Sequence, residues 1–343
     1  MDPALLRDPA FPEPFESAAI LDEARGELGL LLWQTSRDVM LWVATAPDQR
    51  DELFVGGVVE PEPLVGASET EERLHAAVRE LTELLRNGSE ATAEQVAVCC
   101  ETVARWAANY GLERTAIAFA QVAATACPAE AARYVQAGRL LVRYRRHTAA
   151  DRRAFNRALK VSKRKGVRRV RARAHYGMMR VLAAVADYEG AKRHGATALR
   201  WFGDRRERIG VTHDLAALMM EQDSVANAWE CSAMLRAVLP LRRSGADRIA
   251  TLTLLVRAAG YAGQDAILAD AWFDAVRAIG RLDDSPDAAR HLLNLARTGR
   301  DTPGMEVARV MEAARLAFDV ATRVADRQLA LAADAFRLEL LRA

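Results

Sequence analysis

Cysteine is scarce in this chain and follows no pattern. Cys99, Cys100, Cys127 and Cys231 are the only four in 343 residues. Neighbouring Cys99 and Cys100 cannot readily bridge to each other, and no spacing suits a metal, so the four thiols read as buried apolar residues of a reduced compartment. Also missing are a phosphate-binding glycine loop, a zinc-protease HExxH and a nucleophile elbow. The six histidines are scattered. His213-Asp214 has the residue types of an acid-base pair, but neighbours on a helix point about 100° apart, which favours a structural role. Cys99 and Cys100 beside Glu101 lack a positioned base. The expectation is a non-enzymatic protein with no cofactor and no metal.

Long apolar runs are absent too. Leu28 to Trp33 and Val39 to Ala44 are separated by Gln34, Arg37 and Asp38, far short of a membrane span. Met1-Asp2-Pro3 with Pro9, Pro12 and Pro14 has neither the basic start nor the apolar core of a secretion signal. A cytoplasmic protein without membrane contact is expected. Strand-like alternation is missing throughout. The composition, 51% apolar with 6% aromatic, exceeds what a disordered chain carries and suits helices packed through small residues.

What is present is helix. Residues 1–14 are Pro-rich, with Phe11 and Phe15 as anchors. A helical region over 16–46 follows, divisible in two near Gly26 and Gly29, and Pro47 opens a short helix toward Phe54. Gly56-Gly57 and Glu60-Pro61-Glu62-Pro63 mark a linker. Ser68 with Glu71 and Thr92 with Gln95 have capping-box spacing, and Asn87-Gly88 closes the helix between them. Further helices are predicted over 92–110, 112–126, 129–145, 149–164, 167–186, 188–202, 205–221, 223–239, 246–260, 264–279, 286–297, 303–321 and 324–341. The six Trp are assigned mainly to core packing, as is the pair Met219-Met220.

A helical-pair pattern returns about every 35 residues through the middle of the chain. Asp187-Tyr188-Glu189-Gly190-Ala191 marks a turn between two helices, with Ala198 seven residues beyond Ala191. Gly111 marks an earlier turn, with Ala116, Ala123 and a closing Pro128. Ala226 and Ala233 repeat the spacing. Tyr134, Gly138 and Leu141 fit a first helix, and Ala158-Leu159 fit a second. These features resemble tetratricopeptide repeats, whose unit is roughly 34 residues of helix-turn-helix. The family's frequent Trp in the first helix is replaced by Cys100, Tyr134 and His175. The resemblance implies an all-α, helical-pair solenoid with an N-terminal helical extension. Its organisation is an extension over 1–58, a linker over 59–67, repeats over 68–240, and divergent C-terminal repeats or a cap over 241–343. Such stacks are interaction scaffolds.

Charge gives the direction. Between Arg143 and Arg173 stand fourteen Lys and Arg against the single acid Asp151, a balance of +13, which leaves −11 for the rest of a chain whose total is +2. So dense a tract demands an answering charge. The acidic residues Glu13, Glu16, Asp22, Glu23 and Glu27 offer one inside the chain. On the helix starting near Val167, the residues Val167, Val170, Ala174, Met178, Val181 and Val185 define a packed stripe. Arg169, Arg173, Tyr176 and Arg180 fall on a neighbouring face. In the family the first helix of each unit lines a concave groove. Carried over residue by residue, this places there Arg173, Tyr176 and Arg180, with Arg139 and Arg143 from the preceding unit, Glu101, Arg105 and Asn109 from the earlier one, and Arg208 from the following one. A guanidinium row favours carboxylates or phosphates. The leading expectation is an acidic protein segment or partner subunit held in a basic groove. One alternative is nucleic acid bound through Lys160, Lys163, Arg164, Lys165, Arg168, Arg169, Arg171 and Arg173, with Lys163 to Gly166 as a basic loop inserted in the repeat. Another is a sensor or assembly subunit whose N-terminal helices meet a separate effector.

Overall fold

A computed structural model describes residues 17–24, 26–53, 68–144, 148–165, 167–243 and 245–342. The Pro-rich start, Phe11, Phe15, Glu13, Glu16, Phe54 and the expected linker lie outside the described residues. Sixteen α-helices and no strand occur among those described. They group into two compact units, residues 1–201 and 202–343.

The first unit holds α1 (Ser17–Glu23), α2 (Gly26–Ala44), α3 (Glu69–Arg86), α4 (Ala93–Tyr110), α5 (Glu113–Ala126), α6 (Ala131–Tyr144), α7 (Thr148–Lys165), α8 (Arg168–Ala184) and α9 (Tyr188–Trp201). Consecutive helices form hairpins: α4 packs on α5, α6 on α7 and α8 on α9, while α6 also touches α8. The second unit repeats the scheme with α10 (Arg205–Gln222), α11 (Ser224–Val238), α12 (Gly245–Tyr261), α13 (Asp265–Ile279), α14 (Pro286–Arg300), α15 (Val307–Arg323) and α16 (Arg327–Arg342). There α10 pairs with α11, α12 with α13 and α14 with α15, and α12 touches α14.

Local chemistry sets the helix ends. Thr92 Oγ1 accepts the Gln95 N–H at 3.2 Å and Gln95 Oε1 accepts the Thr92 N–H at 2.9 Å, the full reciprocal cap of α4. Ser68 makes only half of that arrangement, accepting from the Glu71 N–H at 3.3 Å. One turn recurs four times. A residue of positive φ (Gly111, Ala186, Gly263, Ala325) is followed by one whose N–H returns to the carbonyl five residues back: Leu112 to Ala107, Asp187 to Leu182, Gln264 to Ala259 and Asp326 to Ala321. This motif satisfies orphan carbonyls at a helix end. After Ala186, Asp187 accepts the Gly190 N–H at 2.9 Å, so Tyr188 to Ala191 form the first turn of α9 and the hairpin turn itself is Val185 to Asp187.

Small residues decide how closely the hairpins approach. Ala116, Ala123, Ala191 and Ala198 are fully buried. Ala226 and Ala233 are exposed, contrary to the spacing argument. Asp223 caps α11 by accepting the Val225 and Ala226 N–H groups, which leaves Ala226 in an open first turn. The buried pair with the same separation is Ala228 and Leu235, two residues later. Trp229, one residue past Ala228, is consequently turned outward and 68% exposed. Trp42 and Trp272 are buried.

Phe155 of α7 locks the centre of the first unit. Its ring is fully buried, and a Cβ on Gly138 of α6 would stand 2.8 Å from it, with one on Gly177 of α8 closer still. Both helices therefore close on the ring only because those positions are glycine.

The N-terminal helices join the first unit through specific polar contacts. Leu112 precedes α5 without a side-chain cap, and Glu23 supplies one from 91 residues away. Its carboxylate accepts the Arg114 and Thr115 N–H groups, each at 2.8 Å, and the Thr115 hydroxyl at 3.0 Å. Asp22 stands 3.6 Å from the Arg114 guanidinium. Trp42 Nε1 donates to the Gly88 carbonyl at 3.1 Å, and Asp51 accepts the Ser89 N–H at 2.7 Å. Asp22 and Glu23 thus answer the start of α5, where the helix dipole favours an anion. They do not answer the 143–173 tract.

Candidate functional site

The basic residues of the first unit divide among three faces. On α8, Arg169, Arg173, Tyr176 and Arg180 fall within an arc of about 60° at 100° per residue. Arg169 and Arg180 are exposed, and Arg173 and Tyr176 half-buried. The opposite face carries the buried Ala172, Ala174, Met178, Met179, Val181 and Leu182. Val167 and Val185, expected in the packed stripe, are exposed because they flank the helix ends. On α6, Arg139 and Arg143 stand exposed one turn apart, opposite the buried Tyr134, Gly138 and Leu141. Arg143 lies 5.3 Å from the Tyr144 ring. α6 and α8 touch, and on each helix the arginine stripe lies away from that helix's own buried residues.

Arg168 and Arg171 point elsewhere. Their guanidinium groups lie 5.5 and 4.8 Å from the centre of the Trp201 ring at the end of α9, a cation–π arrangement. Lys160 and Lys163 are exposed on α7. The expected basic loop is not a loop: α7 runs through Lys165. Lys and Arg are good helix formers, and cations suit a helix C-terminus. The side chains of Arg164 and Lys165, and Gly166, lie outside the described residues. Arg208 is exposed on α10 of the second unit.

The tract's one acid is sequestered. Asp151, in the first turn of α7, is buried with Oδ1 lacking a hydrogen-bond partner, and burial pushes its carboxyl up to about 6. Nearby, His175 of α8 and His194 of α9 meet Nδ1 to Nδ1 at 3.0 Å. One nitrogen must donate and the other accept, so the two rings cannot both be cationic in this contact. Burial, with His194 and Arg171 adding repulsion, pushes His175 down to about 4. Burial and the charges of Arg193 and Arg152 also lower His194, against the pull of Asp187.

The exposed stripe of α4 carries carboxylates. Glu94, Val98, Glu101 and Arg105 share one stripe there at helical spacing. Arg133 of α6, 5% exposed, reaches back to them. It donates to both Glu94 carboxylate oxygens at 3.1 and 2.7 Å, and its Nε lies 3.3 Å from Glu101. Burial nevertheless raises Glu101 above the usual carboxylate range, with Arg133 pulling it back. Arg105 is exposed, its guanidinium 5.8 Å from the Trp106 ring, with Arg73 of α3 at 5.1 Å from the same ring. Between α3 and α4 an open cleft of about 580 Å³ is lined by Glu80, Glu83, Leu84, Asn87, Glu94, Gln95, Val98 and Cys99.

Arg133 and Glu94 were not singled out from the sequence. The signal was available in the separation itself: an acid and a base 39 residues apart, near one repeat length, the base lying inside an otherwise apolar stripe. Cys100 is fully buried with its thiol pushed far up, and burial with Glu80 raises Cys99 to about 11. His213 Nδ1 does reach Asp214 Oδ1, at 3.3 Å, but its Nε2 is buried without a partner. No cluster of three or more metal-ligating side chains occurs among the described residues. None of their helices is long and apolar enough to cross a membrane.

No protein-family model matches the chain, and no curated protein sequence matches it. Among solved structures, BtubC (BKLC) from P. vanneervenii is similar with TM-score 0.54 and 16% identity, over 62% of this chain and 91% of its own. A Rap protein complexed with competence and sporulation factor is matched at TM-score 0.48 and 10% identity, over 92% and 98% of the two chains. The apo form of RapI is matched at TM-score 0.46 and 14% identity, over 95% and 89%. With the sequential hairpins described above, the BtubC likeness shows the fold: an all-helical, tetratricopeptide-like array of helical pairs.

Proposed function

We propose that this protein is a non-enzymatic adaptor whose first unit holds an acidic protein segment on the basic open face of α6 and α8. One observation carries the reading: Arg139 and Arg143 on α6, and Arg169, Arg173 and Arg180 on α8, project from adjacent helices that pack against each other. Guanidinium groups so placed form charge-assisted, forked hydrogen bonds to carboxylates, and a rigid helical stack holds them without ordering cost at the moment of binding. The helices are themselves fixed by the Phe155 ring between Gly138 and Gly177.

The same geometry weighs against nucleic acid. Phosphate-backbone binding draws on a continuous cationic surface, whereas here Arg168 and Arg171 cover Trp201 and Lys160 and Lys163 belong to α7. The test is capture of native partners with the wild-type chain and with R173E/R180E, with and without nuclease. A protein that survives nuclease and is lost with the double variant supports the reading. A nuclease-sensitive complex, with affinity falling steeply with salt at a log-log slope of about −0.9 per neutralised phosphate, overturns it in favour of nucleic acid.

A further inference from the structure

Trp229 stands apart from the other tryptophans. Four of them lie beneath a guanidinium: Arg37 is 5.4 Å from the Trp33 ring, Arg50 3.6 Å from Trp42, Arg73 5.1 Å from Trp106 and Arg171 4.8 Å from Trp201. Trp272 is buried within the second unit. Exposed Phe273 likewise has Arg309 at 5.0 Å. Trp229 is 68% exposed and has no cation over its ring among the described residues. Nor is it an isolated apolar residue. On α11, Val225, Ala226, Trp229, Ala233, Arg236 and Ala237 fall within an arc of about 120° at 100° per residue, and all are exposed. They lie opposite the buried Cys231, Leu235 and Val238. A single exposed apolar side chain is ordinary, whereas a contiguous apolar face marks an interaction site.

We propose that this face of α11 binds a second copy of itself, the two helices antiparallel about a two-fold axis beside position 231. Residues equally far from 231 on either side then meet: Trp229 of each copy lies on Ala233 of the other, and Val225 on Ala237. Each large side chain meets a small one, and the match repeats in both directions, as a two-fold contact requires. The same register answers the uncovered ring. On its own helix Arg236 lies two turns beyond Trp229. In the pair it arrives opposite position 226 of the other copy, about 4.5 Å along the axis from that copy's Trp229. A guanidinium there covers the ring as Arg37, Arg50, Arg73 and Arg171 cover theirs, a cation–π contact. Glu230, exposed at the edge of the same face, comes within about 6 Å along the axis of the same arginine, with opposite charge. Tryptophan and arginine are the side chains that dominate contacts between proteins. A contact built on one helix from each copy belongs to the small, weak class of interfaces, so the dimer forms as concentration rises.

Sedimentation equilibrium of the full chain is the test. The weight-average mass should climb with concentration from that of the monomer toward twice that value. Trp229→Ser should weaken self-association by roughly a hundredfold or more, since a hot-spot side chain is lost from both halves of the contact. Arg236→Ser should weaken it by about five- to thirtyfold, two cation–π contacts being lost together. Circular dichroism should keep its helical signal in both variants, because both side chains are exposed. The register is read with Val225→Cys/Ala237→Cys. The two thiols stand about 18 Å apart along one helix, too far to bridge within a chain, but face each other between copies. Mild oxidation should therefore give far more covalent dimer than the wild type gives under the same conditions. A chain that stays monomeric at every concentration, or a dimer that Trp229→Ser leaves at full strength, overturns the proposal. A Trp229-dependent dimer that the paired cysteines fail to link overturns the antiparallel register on which it rests.

Discussion

The two units differ in how acids are spread among their arginines. In the second, cations stand beside acids of the same unit: Arg290 with Asp287 at 2.8 Å, Arg309 with Glu306 at 3.0 Å, Arg315 with Glu312 at 2.8 Å and Asp319 at 3.0 Å, Arg323 with Asp284 at 2.7 Å, and Arg277 with Asp274. Most of these pairs are spaced one helical turn apart, and such exposed pairs add little stability. They neutralise the surface. In the first unit the 143–173 tract has fourteen cations and one acid, and that acid is buried. The units hold 25 and 19 arginines, and the local balance of sign along the chain, more than their number, sets the first apart.

The sharpest way to break that comparison is charge reversal in each unit. R173E/R180E should weaken capture of a protein partner by roughly a hundredfold or more, since like charges facing one another cost several kcal/mol. R309E/R315E, the matched change in the second unit, should alter it less than about twofold. Equal losses from both would remove the distinction between the units.

Packing gives the next largest effect. Phe155→Ala opens a cavity between Gly138 and Gly177 and should cost roughly 3–5 kcal/mol in urea unfolding, with partner binding weakened because α6 and α8 lose their fixed relation. Trp272 plays the corresponding part in the second unit, where a Cβ on Gly299 would lie 2.7 Å from its ring. Trp272→Ala should cost a similar amount and spare binding. A smaller loss is expected at the N-terminal helices. Glu23→Ala removes the distant cap of α5 and should cost about 1–2 kcal/mol, with faster hydrogen exchange at the Arg114 and Thr115 amides. Slowed or unchanged exchange there would contradict the capping role.

The smallest effect is a pH dependence set by two buried groups of the first unit. His175 is pushed down to about 4, so between its ordinary value near 6.5 and 4 the unfolded chain takes a proton that the folded chain refuses, and stability falls as pH falls. Asp151 is pushed up to about 6. Between 6 and its ordinary value near 3.8 the folded chain keeps a proton that the unfolded chain releases, so stability rises as pH falls. Urea midpoints from pH 7 to 4 should decline more steeply in Asp151→Asn than in the wild type, and less steeply in His175→Leu. The reverse order would show that neither group titrates as its burial implies.

Periodicity made the helices legible, because an apolar stripe and its breakers are local. The helices expected from Thr92 onward all form, with ends displaced by a few residues at most positions. Ala226 and Ala233 show where spacing alone misleads: an Asp cap moved the register of α11 by two residues, and no periodic pattern reports which of two alanines faces inward. Lys163 to Lys165 show the converse error, in which a charge run was read as a loop although its residues favour helix. The arginines of α6 could be grouped on one stripe from sequence, and those of α8 on another, because each stripe is local to one helix. Arg133 with Glu94, and Glu23 with α5, could not, since these contacts join helices and depend on the hairpins being assembled.

The Glu23 cap carries a consequence for the order of assembly. Each hairpin of the first unit joins neighbours in sequence, so it can form as soon as its second helix is made. The start of α5 is different, because the carboxylate that caps its amides at Arg114 and Thr115 is made 91 residues before the first of them and waits for them. At a synthesis rate of about 5–20 residues per second, Glu23 precedes its targets by roughly 5 to 18 s. During that interval α1 and α2 have nothing of α5 to hold, and their apolar faces, including Leu28, Leu32 and Val39, remain uncovered on that side. The N-terminal segment therefore closes in two steps: Trp42 and Asp51 can meet Gly88 and Ser89 once α3 is made, and α1 gains its contact with α5 only when residue 115 is in place.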